Sequence, residues 1–217
     1  MEQDRKARKV VTRSGRKFKG LFPSKKLCRM VEWESLLERD AILLFEFSPG
    51  VVRYQEQPML IEYEEDAEMR RYYPDLEVIL KSGEIIHIEI KPALKLISVE
   101  MTKKFNAIKA HYDRIGRRFI ILLDSHIRTE PRLTNLKRIA TGYCRPEHYA
   151  SLVETATRLV KDDLSFTVPK LAQILKLSHV LALIGSGTLC CELNKDLFAT
   201  DNYLRLPNGE DDDSLLF

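Results

Sequence analysis

Asp75, Glu89 and Lys91 are the residues of this sequence whose types and spacing could do chemistry together. Side chains alternate across a strand with period two, so along 85–91 Glu89 and Lys91 share a side with His87, while Ile86, Ile88 and Ile90 face the other. The isoleucines make a core face, which leaves an acid and a base side by side on the opposite surface. Asp75 joins them through the turn. Lys81-Ser82-Gly83 fits a three-residue hairpin loop ending on a left-handed glycine, which pairs Leu80 with Glu84. Counting back then places Asp75 opposite Glu89, and Leu76, Val78 and Leu80 fall on the isoleucine face, as a buried face requires. A two-residue turn would put Asp75 on the core side, so the sequence prefers the register that brings both carboxylates together.

Two unit charges ~4 Å apart repel by about 1 kcal/mol in water and about 4 kcal/mol at an effective dielectric of about 20. A hard divalent cation with oxygen ligands offsets that repulsion. Bound Mg²⁺ polarises a phosphate and lowers the pKa of a coordinated water. Lys91 is a point charge suited to the transition state or to holding the nucleophilic water. A third carboxylate is expected from Glu38, which is followed at helical spacing by Ala41, Ile42 and Phe45 and so shares an inward stripe with them; Glu34, one turn earlier, is the alternative. Asp, Glu and Lys also decorate solvated hairpins. Here the buried opposite face favours the catalytic reading.

The elements that position these residues follow from pattern. A helix is expected over 32–47, stopped by Ser48-Pro49-Gly50, then a strand over 51–62 interrupted at Pro58. Two short strands at 76–80 and 85–90 follow. A helix at 99–115 carries Met101, Phe105, Ile108, Tyr112 and Ile115 on one face, and the apolar run 119–123 reads as a strand buried on both faces. That order gives a mixed sheet with helices on its faces. Past about residue 128 short helices take over. Pro146 and Pro169 each open one, Ser178 is a plausible N-cap for a third over 179–184, and 188–193 with 203–206 reads as a small hairpin. The expected domains are a basic arm at 1–29, a catalytic α/β domain at 30–128, a winged-helix-like module at 129–207 and an acidic tail at 208–217.

The bulk properties narrow the class. With 217 residues, 44% hydrophobic and 31% charged, the chain has the composition of a soluble globular protein, and its net charge of +3 says little. The distribution says more: basic residues crowd the first 29 positions, Arg13, Arg16 and Lys17 among them, a pattern that fits phosphate binding or a solvated tail. No apolar run suits a membrane span or a signal peptide, so a cytosolic (bacterial cytosol or nucleoid) location is expected. Cys28, Cys144, Cys190 and Cys191 have no zinc-ligand spacing.

Pro74-Asp75 with Glu89-Ile90-Lys91 resembles the PD…(D/E)xK signature of restriction-endonuclease-like nucleases. The surroundings sharpen the likeness. Glu34 to Asp40, Phe45-Glu46-Phe47, Val52 to Pro58, Ile88 to Pro92 and Arg118 to Ile121 are similar to the endonuclease domain of TnsA-family transposase subunits, over roughly 30–125. The resemblance implies an α/β fold, a restriction-endonuclease-like mixed sheet flanked by helices, followed by a small helical winged-helix-like domain. It implies that Glu38, Asp75 and Glu89 hold two Mg²⁺ ions, with Mn²⁺ able to substitute and the Ile90 carbonyl as a further ligand, and that Lys91 is catalytic. It also implies a role: cleavage of the 5′ strands of double-stranded DNA at transposon ends, beside a TnsB-like transposase that handles the 3′ ends and a TnsC-like AAA+ ATPase. Relatives also occur in CRISPR-associated transposons. A chain with so little beyond the catalytic core suggests that specificity is borrowed from partners.

Lys103, Lys104, Lys109, Arg114, Arg117 and Arg118 cluster on and after the helix that follows the active strand, and Lys103 and Lys104 are candidate phosphate contacts. In the helical module, 179–184 is apolar and lacks base-reading Arg, Asn or Gln, which favours a protein partner there over DNA. The competing readings are a stand-alone restriction or repair nuclease, and a non-catalytic adaptor bridging DNA and an ATPase.

Overall fold

The computed structural model describes residues 18–208; Arg13, Arg16 and Lys17 of the basic arm and nearly all of the acidic tail lie outside the described residues. The chain divides into two compact units, one ending at Ile127, the other comprising Phe47–Pro49 and the residues from Arg128 onward.

The first unit opens with a hairpin, β1 (Gly20–Ser24) and β2 (Arg29–Trp33), ahead of helix α1 (Leu36–Phe47). The helix expected from residue 32 therefore starts four residues later, because Glu32 and Trp33 belong to a strand. Two buried carboxylates fix this hairpin. Glu46 accepts hydrogen bonds from Ser24 Oγ (2.6 Å), Lys25 N (2.8 Å), Lys26 N (3.0 Å) and Tyr54 Oη (2.7 Å). Glu56 takes a two-pronged contact from Arg29 (2.9 and 2.7 Å) and a third bond from Glu32 N. Each acid is satisfied by several donors, which is the condition for burying a charge.

After β3 (Val51–Glu56), β4 (Ile61–Glu65) and β5 (Glu68–Tyr72) form a second hairpin. The expected single strand over 51–62 is thus two strands in two different sheets, with Pro58 in the gap between them. Asp66 and Ala67 both take positive φ (54° and 61°), as a two-residue hairpin turn demands, though neither is glycine. The strands β6 (Leu76–Leu80) and β7 (Ile85–Lys91) pair antiparallel, with Leu76 opposite Ile88 and Val78 opposite Ile86. Gly83 sits at φ 84° and Leu80 N bonds Glu84 O at 2.9 Å, so the three-residue loop and its register are those read from the sequence.

Helix α2 (Val99–Arg114) then crosses over to β8 (Arg118–Leu123), which pairs parallel with β7. The mixed sheet runs β3-β6-β7-β8. As its edge strand, β8 is mostly half-buried rather than covered on both faces. The isoleucine face of β6 and β7 is core, as expected. The opposite face is not open. Phe105, Ile108 and Tyr112 of α2 cluster there with Ile61, Tyr63 and Tyr72, and His87 is 0% and Glu89 4% exposed.

A short helix α3 (Asp124–Ile127) ends the first unit. The second unit is helical: α4 (Arg132–Ile139), α5 (Pro146–Asp162), α6 (Val168–Ala172) and α7 (Leu177–Gly185). Leu152, Ala156 and Val160 of α5 share a core with Leu171, Val180, Leu181 and Leu183. Lys176, not Ser178, occupies the N-cap of α7, and the helix is apolar because its side chains fill this core. The segments expected to form a hairpin, 188–193 and 203–206, pair antiparallel through a single bridge, Cys190 with Arg205, and a second isolated bridge pairs Thr167 with Tyr203. No described helix is long and apolar enough to cross a membrane.

Glu46→Ala removes the common acceptor of four donors, two of them buried hydroxyls on Ser24 and Tyr54. Urea denaturation should show a loss of about 3 kcal/mol; a loss under about 1 kcal/mol would mean that the clamp does not hold the hairpin.

Candidate functional site

The β6–β7 pairing carries Asp75 and Glu89 into the same place, one step beyond the Leu76–Ile88 pair. Asp75 precedes β6, behind Pro74, and Gln57 N donates to its carbonyl at 3.0 Å. Its Oδ2 accepts the Ile90 amide at 2.8 Å, so the acid is pinned to the strand that bears its partners. Lys91 Nζ lies 2.5 Å from Glu89 Oε1 and 3.7 Å from Asp75 Oδ2. The second oxygen of Glu89 accepts the Tyr72 hydroxyl.

The electrostatics follow from burial. Burial first, then the Glu89 charge, pushes the Asp75 carboxyl up to about 7 against the opposing pull of Lys91 and the Ile90 amide. Burial alone would lower the Lys91 ammonium; the charges of Asp75 and Glu89 outweigh it and raise its pKa. Burial and the adjacent Glu89 likewise hold the Tyr72 hydroxyl far above its ordinary range, so it stays protonated and donating.

Tyr72 was not among the residues singled out by pattern. It closes β5, the strand hidden by its charged composition, and only the hairpin that β5 forms delivers it to Glu89. Lys104 stands over its ring at 5.6 Å and over Phe105 at 5.7 Å. Lys103 is ion-paired to Asp66 at 2.6 Å, and Arg118 to Glu84 at 3.2 Å. These cations of the expected basic patch therefore have partners within the fold.

Glu38 has a local structural task. Its amide donates to Ser35 Oγ (3.1 Å), that hydroxyl donates to Glu38 Oε1 (2.9 Å), and Oε2 accepts the Glu34 amide (2.8 Å). This is a capping box, signalled in the sequence by Ser35 and an acid three residues on. Glu38 still feels the site: Lys91 lowers its pKa, against the larger raising effect of burial, and its charge helps to raise Asp75. Glu34, the alternative, is paired to Lys19 at 3.1 Å.

Among the described residues no group of three His, Cys, Asp or Glu side chains is gathered to hold a metal ion. What the fold does gather is a pair of hard carboxylates, one of them, Asp75, raised first by burial and then by the charge of Glu89. No hydrogen bond engages Asp75 Oδ1 among the described residues. That donor chemistry fits one oxygen-liganded divalent cation at Asp75 and Glu89. A three-acid site would require Glu38 to leave its cap.

Residues 48–124 match the family model described as TnsA-like endonuclease N terminal. The matched stretch contains Asp75, Glu89 and Lys91 and stops short of Glu38. No curated protein matches the chain.

A carboxyl raised in the fold binds its proton more tightly there than in the unfolded chain. Metal-free stability therefore falls as pH climbs from the ordinary carboxylate range toward about 7. Asp75→Asn should raise the melting temperature at pH 8 in EDTA, by roughly 2–4 °C per kcal/mol relieved, and leave it nearly unchanged at about pH 4. Scanning calorimetry at both pH values checks this, and equal shifts at the two would contradict the assignment.

Proposed function

We propose that this chain, whose residues 48–124 match the family model described as TnsA-like endonuclease N terminal, is a Mg²⁺-dependent DNA endonuclease that cleaves the 5′ strands at transposon ends within a multi-component transposase. The observation that carries the reading is the acid pair itself: Asp75 and Glu89 brought together by register, one of them 4% exposed, with Lys91 bridging both. A fold with no use for charge does not set a half-buried acid beside a buried one, since a buried charge costs several kcal/mol unless compensated.

Asp75 and Glu89 would hold the cation, with the Ile90 carbonyl as a further ligand and Mn²⁺ able to replace Mg²⁺. Such an ion supplies Lewis acidity at a phosphate oxygen and a water acidic enough to attack near neutral pH. The chain's own residues set the stage. Ile90 N fixes the rotamer of Asp75, and Tyr72 fixes that of Glu89. Lys91 stays charged between the acids, where it can hold the attacking water or face the negative charge that grows on phosphorus. Glu38 is a third acid at the edge of this field. The helical second unit, with its two bridges flanking α6 and α7, is read as a winged-helix-like module for a TnsC-like AAA+ ATPase, and the 3′ ends are left to a TnsB-like partner.

The test is nicking of a supercoiled plasmid bearing a transposon end, with and without the cognate transposase, in Mg²⁺. Cuts on the 5′ strands should appear only with the partner and drop at least about 100-fold in Asp75→Asn and Lys91→Ala. Glu38→Gln, which keeps the cap, should lose only about tenfold; a loss as deep as that of Asp75→Asn would make Glu38 a full ligand. Cleavage that survives loss of Asp75 would end the nuclease reading.

A further inference from the structure

The second unit carries a cation-lined hollow that the nuclease site does not use. A cavity of about 420 Å³ is walled by Tyr143, Arg145, His148, Lys176, Ser178 and His179. These residues come from two distant stretches, the turn into α5 and the start of α7, joined where Tyr143 N donates to Ser178 O at 2.9 Å. Gly142 makes the junction possible. An added Cβ there would lie 2.4 Å from Ala182 N and 2.5 Å from the Leu181 carbonyl carbon, so the turn can reach α7 only without a side chain.

The chemistry of the wall is one-sided. It offers a guanidinium, an ammonium, two imidazoles and two hydroxyls, with no carboxylate among them. The acid beside it, Glu147, stands 4.0 Å from Arg145, with both side chains more than half exposed, an arrangement worth little in water. The side chains of Lys176, His148 and His179 make no hydrogen bond or ion pair among the described residues. Tyr143, Arg145, His148 and Lys176 are exposed, so the two fixed charges repel little in water, and a compact anion seated between them is attracted by both. Arg145 and Lys176 are also the N-caps of α5 and α7, neither of which is capped by a side chain, so both helix starts add to the positive potential. Val180, Leu181 and Leu183 of α7 are 0%, 4% and 0% exposed, so these side chains are core; at the start of the helix Ser178 and His179 are exposed in part beside Leu177, which is 41% exposed.

We propose that this hollow seats a backbone phosphate of duplex DNA, an inference that rests on the chain's being a DNA endonuclease. The forked guanidinium and the point-charged ammonium suit the two free oxygens of a phosphodiester, with hydroxyls to complete the contact. Such a contact positions DNA without reading its sequence, which agrees with an α7 that lacks base-reading side chains. The apolar residues of α7 that favour a protein partner over DNA in the sequence fill the core of this unit.

The experiment is duplex binding by the full chain, followed by fluorescence anisotropy in EDTA over a range of salt. Arg145→Gln/Lys176→Gln is compared with Arg158→Gln/Lys161→Gln, which removes the same charge from exposed positions of α5 outside the hollow. The hollow variant should bind about tenfold more weakly at low salt, with a slope of log affinity against log salt shallower by about 1 to 2; the control should change less than about threefold. Two indistinguishable variants, or a wild type that does not bind duplex, would overturn the proposal. So would unchanged DNA binding with lost affinity for an acidic peptide, which would give the hollow to a protein partner. Mg²⁺-dependent nicking, and its loss in Asp75→Asn, is read on the same preparations, so failure of the nuclease reading shows separately.

Discussion

Charge balance among Asp75, Glu89 and Lys91 is the constraint on which the arrangement of the first unit depends. Glu89 sits on β7, a strand covered on one face by its own isoleucine layer and on the other by α2 and the β4–β5 hairpin. A carboxylate in that position must be compensated on the spot. Lys91 and the Tyr72 hydroxyl engage its two oxygens, and the Ile90 amide steadies the neighbouring acid. The compensation is incomplete at Asp75, whose proton is held up to about 7. That residual imbalance is the physical opening for a divalent cation, which would relieve repulsion that the protein donors leave in place.

The surrounding elements are explained by the need to hold that register. Gly83, at positive φ, sets the three-residue turn, and a slip of one residue would turn Glu89 into the isoleucine core. The parallel β7–β8 pairing and the α2 crossover close the second face. Farther out, Glu46 and Glu56 use the same device as the site but complete it. Each is buried and fully served by hydrogen-bond donors, and each ties the β1–β2 hairpin to α1 or β3. The contrast separates structural acids from the pair at Asp75 and Glu89: the former are satisfied within the chain, whereas Asp75 keeps one oxygen without a hydrogen bond among the described residues.

Much of this was legible in the sequence because it is governed by period-two alternation and turn chemistry. The hairpin register, the isoleucine face and the amphipathic face of α2 all follow from local rules. The rest was hidden for identifiable reasons. The strand β5, Glu-Met-Arg-Arg-Tyr, lacks apolar alternation and turns through Asp66-Ala67 without glycine, so Tyr72 went unnoticed. Burial of His87 and Glu89 depends on α2 packing from afar, which no local pattern reports. The capping box is legible in Ser35 and an acid three residues on, while the inward stripe of α1 points the same acid toward the site. In the second unit the apolar α7 suggested a docking surface, whereas its apolar residues fill the core and its polar start lines the hollow.

The central claim is that the Asp75–Glu89 pair is a divalent-cation site. Isothermal calorimetry of Mg²⁺ with the full chain, and with Asp75→Ala, tests it most directly. The wild type should bind with an affinity that weakens below about pH 7, as the proton competes for Asp75, and the variant should give no binding heat. A wild type that takes up no cation, or a variant that binds it equally well, would contradict the claim.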